Sequence, residues 1–190
     1  MNPFEAGERK IVPAVLVYAR FGNGADERIL MIHRNASKTD YHLGKWNGLG
    51  GKLELDESPL EAARRELFEE SGLDLPLEAF RAVGTLQFPN FKAHKSEDWW
   101  VTVFVAECGA SANGEPPQTR PCGEGEQRWV RASEVAALNL WAGDKLFIPL
   151  VLERKPFVGT IWYEGDRVLR SWIQGLDSES SSQMPSSSRT

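Results

Sequence analysis

Cysteine is scarce: Cys108 and Cys122 are the only two in 190 residues. Without a secretory leader, two thiols read as reduced side chains rather than a disulfide framework. Long apolar runs are missing, none reaching the roughly 18 residues of a membrane helix. The N-terminal MNPFEAGERKIVP lacks the apolar core of a signal peptide, and Glu5 and Glu8 among its cations argue against a transit peptide. The expectation is a cytoplasmic protein with no membrane partner. A basic excess is missing too, since 22 Lys and Arg face 27 Asp and Glu for a formal charge of −5. Long nucleic acid is therefore not an expected partner. A small polyanion fits only if its charge is met locally, by a few cations or a metal. The histidines His33, His42 and His94 have no metal-ligand spacing among them.

What remains is an ordinary globular composition, 41% apolar and 26% charged. Ile11–Arg20 (IVPAVLVYAR) predicts a buried strand, Phe21–Glu27 a turn, and Arg28–Arg34 the returning strand. Asn35–Lys45 reads as polar loop. Ser58–Ser71 is the clearest helix: Ser58 as cap, Pro59 at the first position, Glu61 completing a capping box, Gly72 as the stop. Leu60, Ala63 and Leu67 recur at helical spacing and face the core. Further strands are expected at Phe80–Phe88, Trp99–Cys108, Gln127–Arg131, Phe157–Tyr163 and Arg167–Ile173. A short helix begins at Ser133, and a second is capped by Asp144 and runs to about Glu153. The order predicts one α+β domain over residues 1–175, a mixed β-sheet flanked by helices. The Ser-rich segment 176–190 reads as a disordered tail.

The acids of this helix are arranged against its own stability. Glu66, Glu69 and Glu70 share one stripe at i, i+3 and i+4. Like charges at this spacing repel, and they lie toward the helix end where the dipole disfavours anions. Either the stripe is a solvated face partnered by Arg64 and Arg65, or it gathers oxygen ligands for a hard cation such as Mg²⁺. A cation site would also let an acidic protein hold a triphosphate.

The full pattern decides between the two. Gly51, Glu57, Arg65-Glu66-Leu67, Glu69-Glu70 and Gly72-Leu73 lie at the fixed positions of a Nudix box, which the segment resembles without departure. The resemblance implies an α/β/α sandwich and a pyrophosphohydrolase: water attacks a phosphoryl group inside a diphosphate linkage. It implies Mg²⁺, with Mn²⁺ as an alternative, held by Glu66, Glu69, Glu70 and the Gly50 carbonyl. Glu66 or Glu70 would be the base, Arg65 would orient the carboxylates, and Glu57 would brace the loop. Glu124 rather than Glu126 is the expected additional ligand from outside the box.

Lys45–Gly51 and the later Trp141-Ala142-Gly143-Asp144 resemble the 8-oxo-dGTP diphosphatase branch, over about Ile11–Ile173. That likeness assigns Asn47, Trp141 and Asp144 to the purine. Asn offers donor and acceptor, indole a stacking face, and a carboxyl group either a donor or an acceptor. The animal enzymes carry two adjacent acids after the Trp; here the first is Gly143. Arg34, Lys38 and Lys45 are candidates for the phosphates. The expected function is conversion of a purine nucleoside triphosphate, 8-oxo-dGTP first, to monophosphate and pyrophosphate, which is nucleotide-pool sanitation and DNA repair. A monomer or homodimer would suffice. The alternatives are 5′-triphosphate RNA, a dinucleoside polyphosphate or a nucleotide sugar as substrate, and, in another class, a nucleotide sensor without turnover.

Overall fold

The structure, a computed structural model, describes residues 9–36, 42–92, 95–109 and 114–176. Lys38, His94 and residues 177–190 of the Ser-rich segment lie outside the described residues. Among the described residues eight strands, β1 (Lys10–Phe21), β2 (Arg28–His33), β3 (Trp46–Asn47), β4 (Phe80–Lys92), β5 (Glu97–Glu107), β6 (Glu126–Arg131), β7 (Phe157–Glu164) and β8 (Arg167–Gly175), form one mixed sheet. Its order is β3-β2-β1-β5-β4-β7-β8, with β6 paired to β2. β1 runs parallel to β5 and β4 parallel to β7, while the other pairings are antiparallel.

Alternation along β1 sends side chains to two cores. Val15, Val17 and Ala19 pack with Ala62, Ala63 and Leu67 of helix α1 (Pro59–Ser71). Ala14 and Tyr18 pack on the other face with Phe147, Ile148 and Val151 of helix α2 (Asp144–Leu152). The sheet thus has helices on both faces, the layering expected. No helix among the described residues is long and apolar enough to cross a membrane.

One edge of β1 is shared, and this sets the site. β2 pairs with β1 only beside their connection, at Arg20↔Ile29 and Phe21↔Arg28. Farther along, the loop before α1 takes over that edge: Val15 N–H donates to Gly51 O (2.8 Å), and Val17 and Leu49 exchange bonds of 2.6 and 3.0 Å. Arg20, fully buried on β1, donates to Glu27 and to the Val151 and Leu152 carbonyls (both 2.9 Å), so the end of α2 is tied to the same strand.

Three expectations need correction. The segment read as a helix from Ser133 is a 3-10 stretch over Ala132–Ala137; Arg131 precedes it and no side chain caps it. Asp144 does not cap α2. Gly143 holds that position, and Asp144 is already the first helical residue because its N–H donates back to Trp141 O (3.1 Å). Trp46–Asn47, just after the expected loop, pairs with Ile32 and His33 as a strand the sequence did not point to. β4 runs past Pro89 to Lys92, since cross-strand pairing with β5 resumes at Lys92↔Glu97.

Candidate active site

Local rules place the acids. Both capping-box bonds are present, Glu61 N–H to Ser58 Oγ (3.3 Å) and Ser58 N–H to Glu61 Oε2 (2.8 Å). Gly72 ends α1 at φ +79°, in the left-handed region that glycine tolerates. With the helix ends fixed, packing of α1 on β1 puts Glu70 on the buried side, Glu66 at its border and Glu69 outside.

Arg65 organises this border. It meets Glu57 through two bonds, Nε to Oε2 (3.0 Å) and Nη2 to Oε1 (2.7 Å). Its Nη1 reaches Glu66 Oε1 (2.9 Å) and Glu69 Oε2 (3.2 Å), and Nη2 also donates to Lys52 O. The Glu66 carboxylate lies so close to Gly51 that a Cβ there would collide with it. Glu70 accepts Gly50 N–H (2.9 Å). Burial pushes Glu70 up to about 7; the Gly50 bond and the Arg34 charge oppose this, and the Glu66 charge adds to it. Burial also raises Glu66 against the pull of Arg65, whereas the Arg65 bonds hold Glu57 below the usual carboxylate range.

Glu124 does not join these acids directly. Gly125 lies against the His33 carbonyl too closely for a Cβ, which brings the 122–125 loop beside the end of β2. There Glu124 forms an ion pair with Arg34. Glu126 pairs instead with Arg128. Among the described residues no three His, Cys, Asp or Glu side chains form a closed metal cage.

Beyond Gly50 and Gly51 opens a cavity of about 470 Å³. Arg34, Glu124, Asn47, Trp141 and Asp144 all line it. Asn47 Oδ1 is buried there without a hydrogen-bond partner. Trp141 donates its indole N–H to His42 Nδ1 (2.9 Å), and Lys45 Nζ stands 5.1 Å from its ring centroid while bonding Asn139 Oδ1 (3.3 Å). Burial lifts the Asp144 carboxyl to about 7, with the Lys45 charge opposing. Sequence reasoning did not find His42, Lys52, Phe88, Phe91 or Tyr163, which also line the cavity. Their only signal is membership of strands and loops whose ends converge there. Of the Trp99-Trp100 pair, Trp99 faces the cavity and Trp100 is exposed.

A mixed sheet between helices, with Glu66 and Glu70 beside two glycines that line a cavity rich in aromatic residues, fits a small-molecule enzyme better than a macromolecular scaffold. Residues 10–151 match the NUDIX domain, and the chain belongs to that family as a Nudix hydrolase. It is 33% identical over 132 residues to the oxidized purine nucleoside triphosphate hydrolase of Danio rerio, covering 70% of this chain and 78% of that protein. The Mus musculus protein of the same name is 29% identical over 153 residues, 80% and 90% of the two chains. The MutT protein of Bacillus halodurans shares the fold with a TM-score of 0.68 at 24% identity, covering 85% of this chain and 97% of that one.

Proposed function

We propose that the chain hydrolyses an oxidised purine nucleoside triphosphate, 8-oxo-dGTP foremost, to the monophosphate and pyrophosphate with Mg²⁺. What supports this reading is one continuous cavity that joins the box loop at Gly50 and Gly51 to Asn47, Trp141 and Asp144, where a buried Asn oxygen is unpartnered. The names of the fish and mouse relatives point the same way.

The box residues beside Gly50 and Gly51 fit the cation. Glu66, Glu69, Glu70 and the Gly50 carbonyl offer oxygen donors, and burial disfavours charge on Glu66 and Glu70, which a cation beside them would offset. Mg²⁺ is usually held by one or two carboxylates together with substrate phosphates rather than by a protein cage, so a closed cluster is not needed. Glu66 and Glu70 would be the principal ligands, with Glu69, the Gly50 carbonyl and Glu124 as further candidates. When bound, the cation draws charge from the phosphate oxygens and so lowers the barrier to attack.

The chain's own residues orient and exchange protons. Glu57 fixes Arg65, Arg65 aims Glu66, and Gly50 N–H aims Glu70. Glu66 or Glu70 takes the proton of the attacking water at a carboxylate oxygen. The new P–O bond forms as the bridging P–O bond breaks, and pyrophosphate leaves. Arg34 exchanges Glu124 for a phosphate oxygen, with Lys38 a second candidate. Asn47 Oδ1 accepts from the purine, Trp141 lies against its face, and Asp144 meets its edge.

The test is steady-state pyrophosphate release from 8-oxo-dGTP and from dGTP with Mg²⁺. We expect a preference of about 10-fold or more, ~1.4 kcal/mol at the transition state. Equal slow rates would remove the specificity claim. Glu66→Gln should lose most turnover yet keep nucleotide binding. Wild-type protein that binds nucleotide without any turnover would make the chain a sensor.

A further inference from the structure

The turn from Trp141 to Asp144 is held by a side chain that no motif marks. Tyr163 stands at a bulge between β7 and β8: the register passes from Trp162↔Arg170 to Tyr163↔Val168, so Leu169 is left over. A bulge of this kind re-aims the side chain beside it. The Tyr163 ring lies 6.0 Å from Trp141 in an edge contact of 85°. Its hydroxyl accepts Gly143 N–H (2.8 Å). This N–H precedes α2, where no carbonyl of the helix can accept it. The space is also full, because a Cβ at position 143 would collide with the same hydroxyl and lie 3.1 Å from Ile161 Cγ2. Gly143 has φ −71° and ψ −33°, which any residue adopts, so glycine is required there for room and not for backbone freedom.

We infer that Tyr163 is the positioning residue of this turn: it sets how Trp141 and Asp144 face the cavity and leaves Asp144 the single carboxyl that the turn can present. The inference rests on the functional reading above, because the turn affects turnover only if a base lies against it. Removing the hydroxyl leaves a buried N–H without its acceptor, and the turn shifts to find another.

The experiment compares a purine nucleoside triphosphate with deoxyribose 5-triphosphate, which has no base. Tyr163→Phe keeps the ring and removes the hydroxyl. The ratio of kcat/KM for nucleotide over base-less substrate should fall roughly 10-fold, through KM more than kcat. Gly143→Ala should lower the same ratio in the wild type and cost clearly less once Tyr163 is Phe, since the nearest atom is gone and ring Cζ (3.0 Å) and Ile161 Cγ2 (3.1 Å) need give only a few tenths of an ångström. An unchanged ratio in Tyr163→Phe, losses that multiply in the double variant, or an equal loss on both substrates would overturn the inference. The amide exchange of Gly143 in the free protein separates this from the functional reading. Exchange as fast in wild type as in Tyr163→Phe overturns the role of Tyr163 whatever the substrate. Wild-type turnover that ignores the purine overturns the functional reading alone.

Discussion

Arg65 meets Glu57 with a two-bond fork and still reaches Glu66 and Glu69. A lysine carries the charge but not the fork, because its ammonium is a point donor. Arg65→Lys should therefore let Glu66 swing while leaving net charge unchanged. Groups that orient metal ligands are typically worth about 10- to 100-fold in metal affinity or activity. We expect the Mg²⁺ concentration for half-maximal activity to rise by about 10-fold; an unchanged Mg²⁺ titration would deny Arg65 this role. The identities of these residues were readable from the box. Their unequal placement was not: Glu70 is buried, Glu66 is at the border and Glu69 is exposed, because only packing against β1 decides which side of α1 turns inward.

At the scale of elements, α1 shows how far local rules reach. Its cap, its proline and its terminal glycine act within a few residues, so the sequence places both ends. Ser58→Ala should cost about 1 kcal/mol, read as a lower midpoint in urea at an unchanged slope. A loss near zero would mean that packing on β1 alone holds the first turn. β3 has no such local signal. Its two residues are strand because Ile32 and His33 lie opposite them. Asp144 resembled a cap because its residue type favours that position. The turn closed by its N–H on Trp141 O makes it helical instead and frees its carboxyl for the cavity.

For the whole molecule, burial of acids links stability to pH and metal. Glu70 and Asp144 are both lifted to about 7 by burial. Between the ordinary carboxylate range and about 7, the folded chain keeps protons that the unfolded chain has released. Their contribution therefore falls as pH rises through this window. In chelator, wild-type protein should lose up to about 5 kcal/mol of stability between pH 5 and 7.5, roughly half from each group. Glu70→Gln, which cannot titrate, should lose less, and Mg²⁺ at pH 7.5 should restore stability to the wild type more than to this variant. Identical pH profiles for the two proteins would show that burial does not raise Glu70 above the ordinary carboxylate range.

The sequence by itself determined the chemistry at the box, the ends of α1 and most strands, because each depends on residue type and short-range spacing. It named Asn47, Trp141 and Asp144 through resemblance, without showing that they line one space. Only the tertiary structure decided that. The loop at Leu49–Leu53 replaces β2 along β1, the ends of β4, β5 and β7 converge opposite it, and a cavity forms between parts of the chain more than a hundred residues apart. Such closure is set by pairing and packing across the sheet, which no local window of the sequence contains.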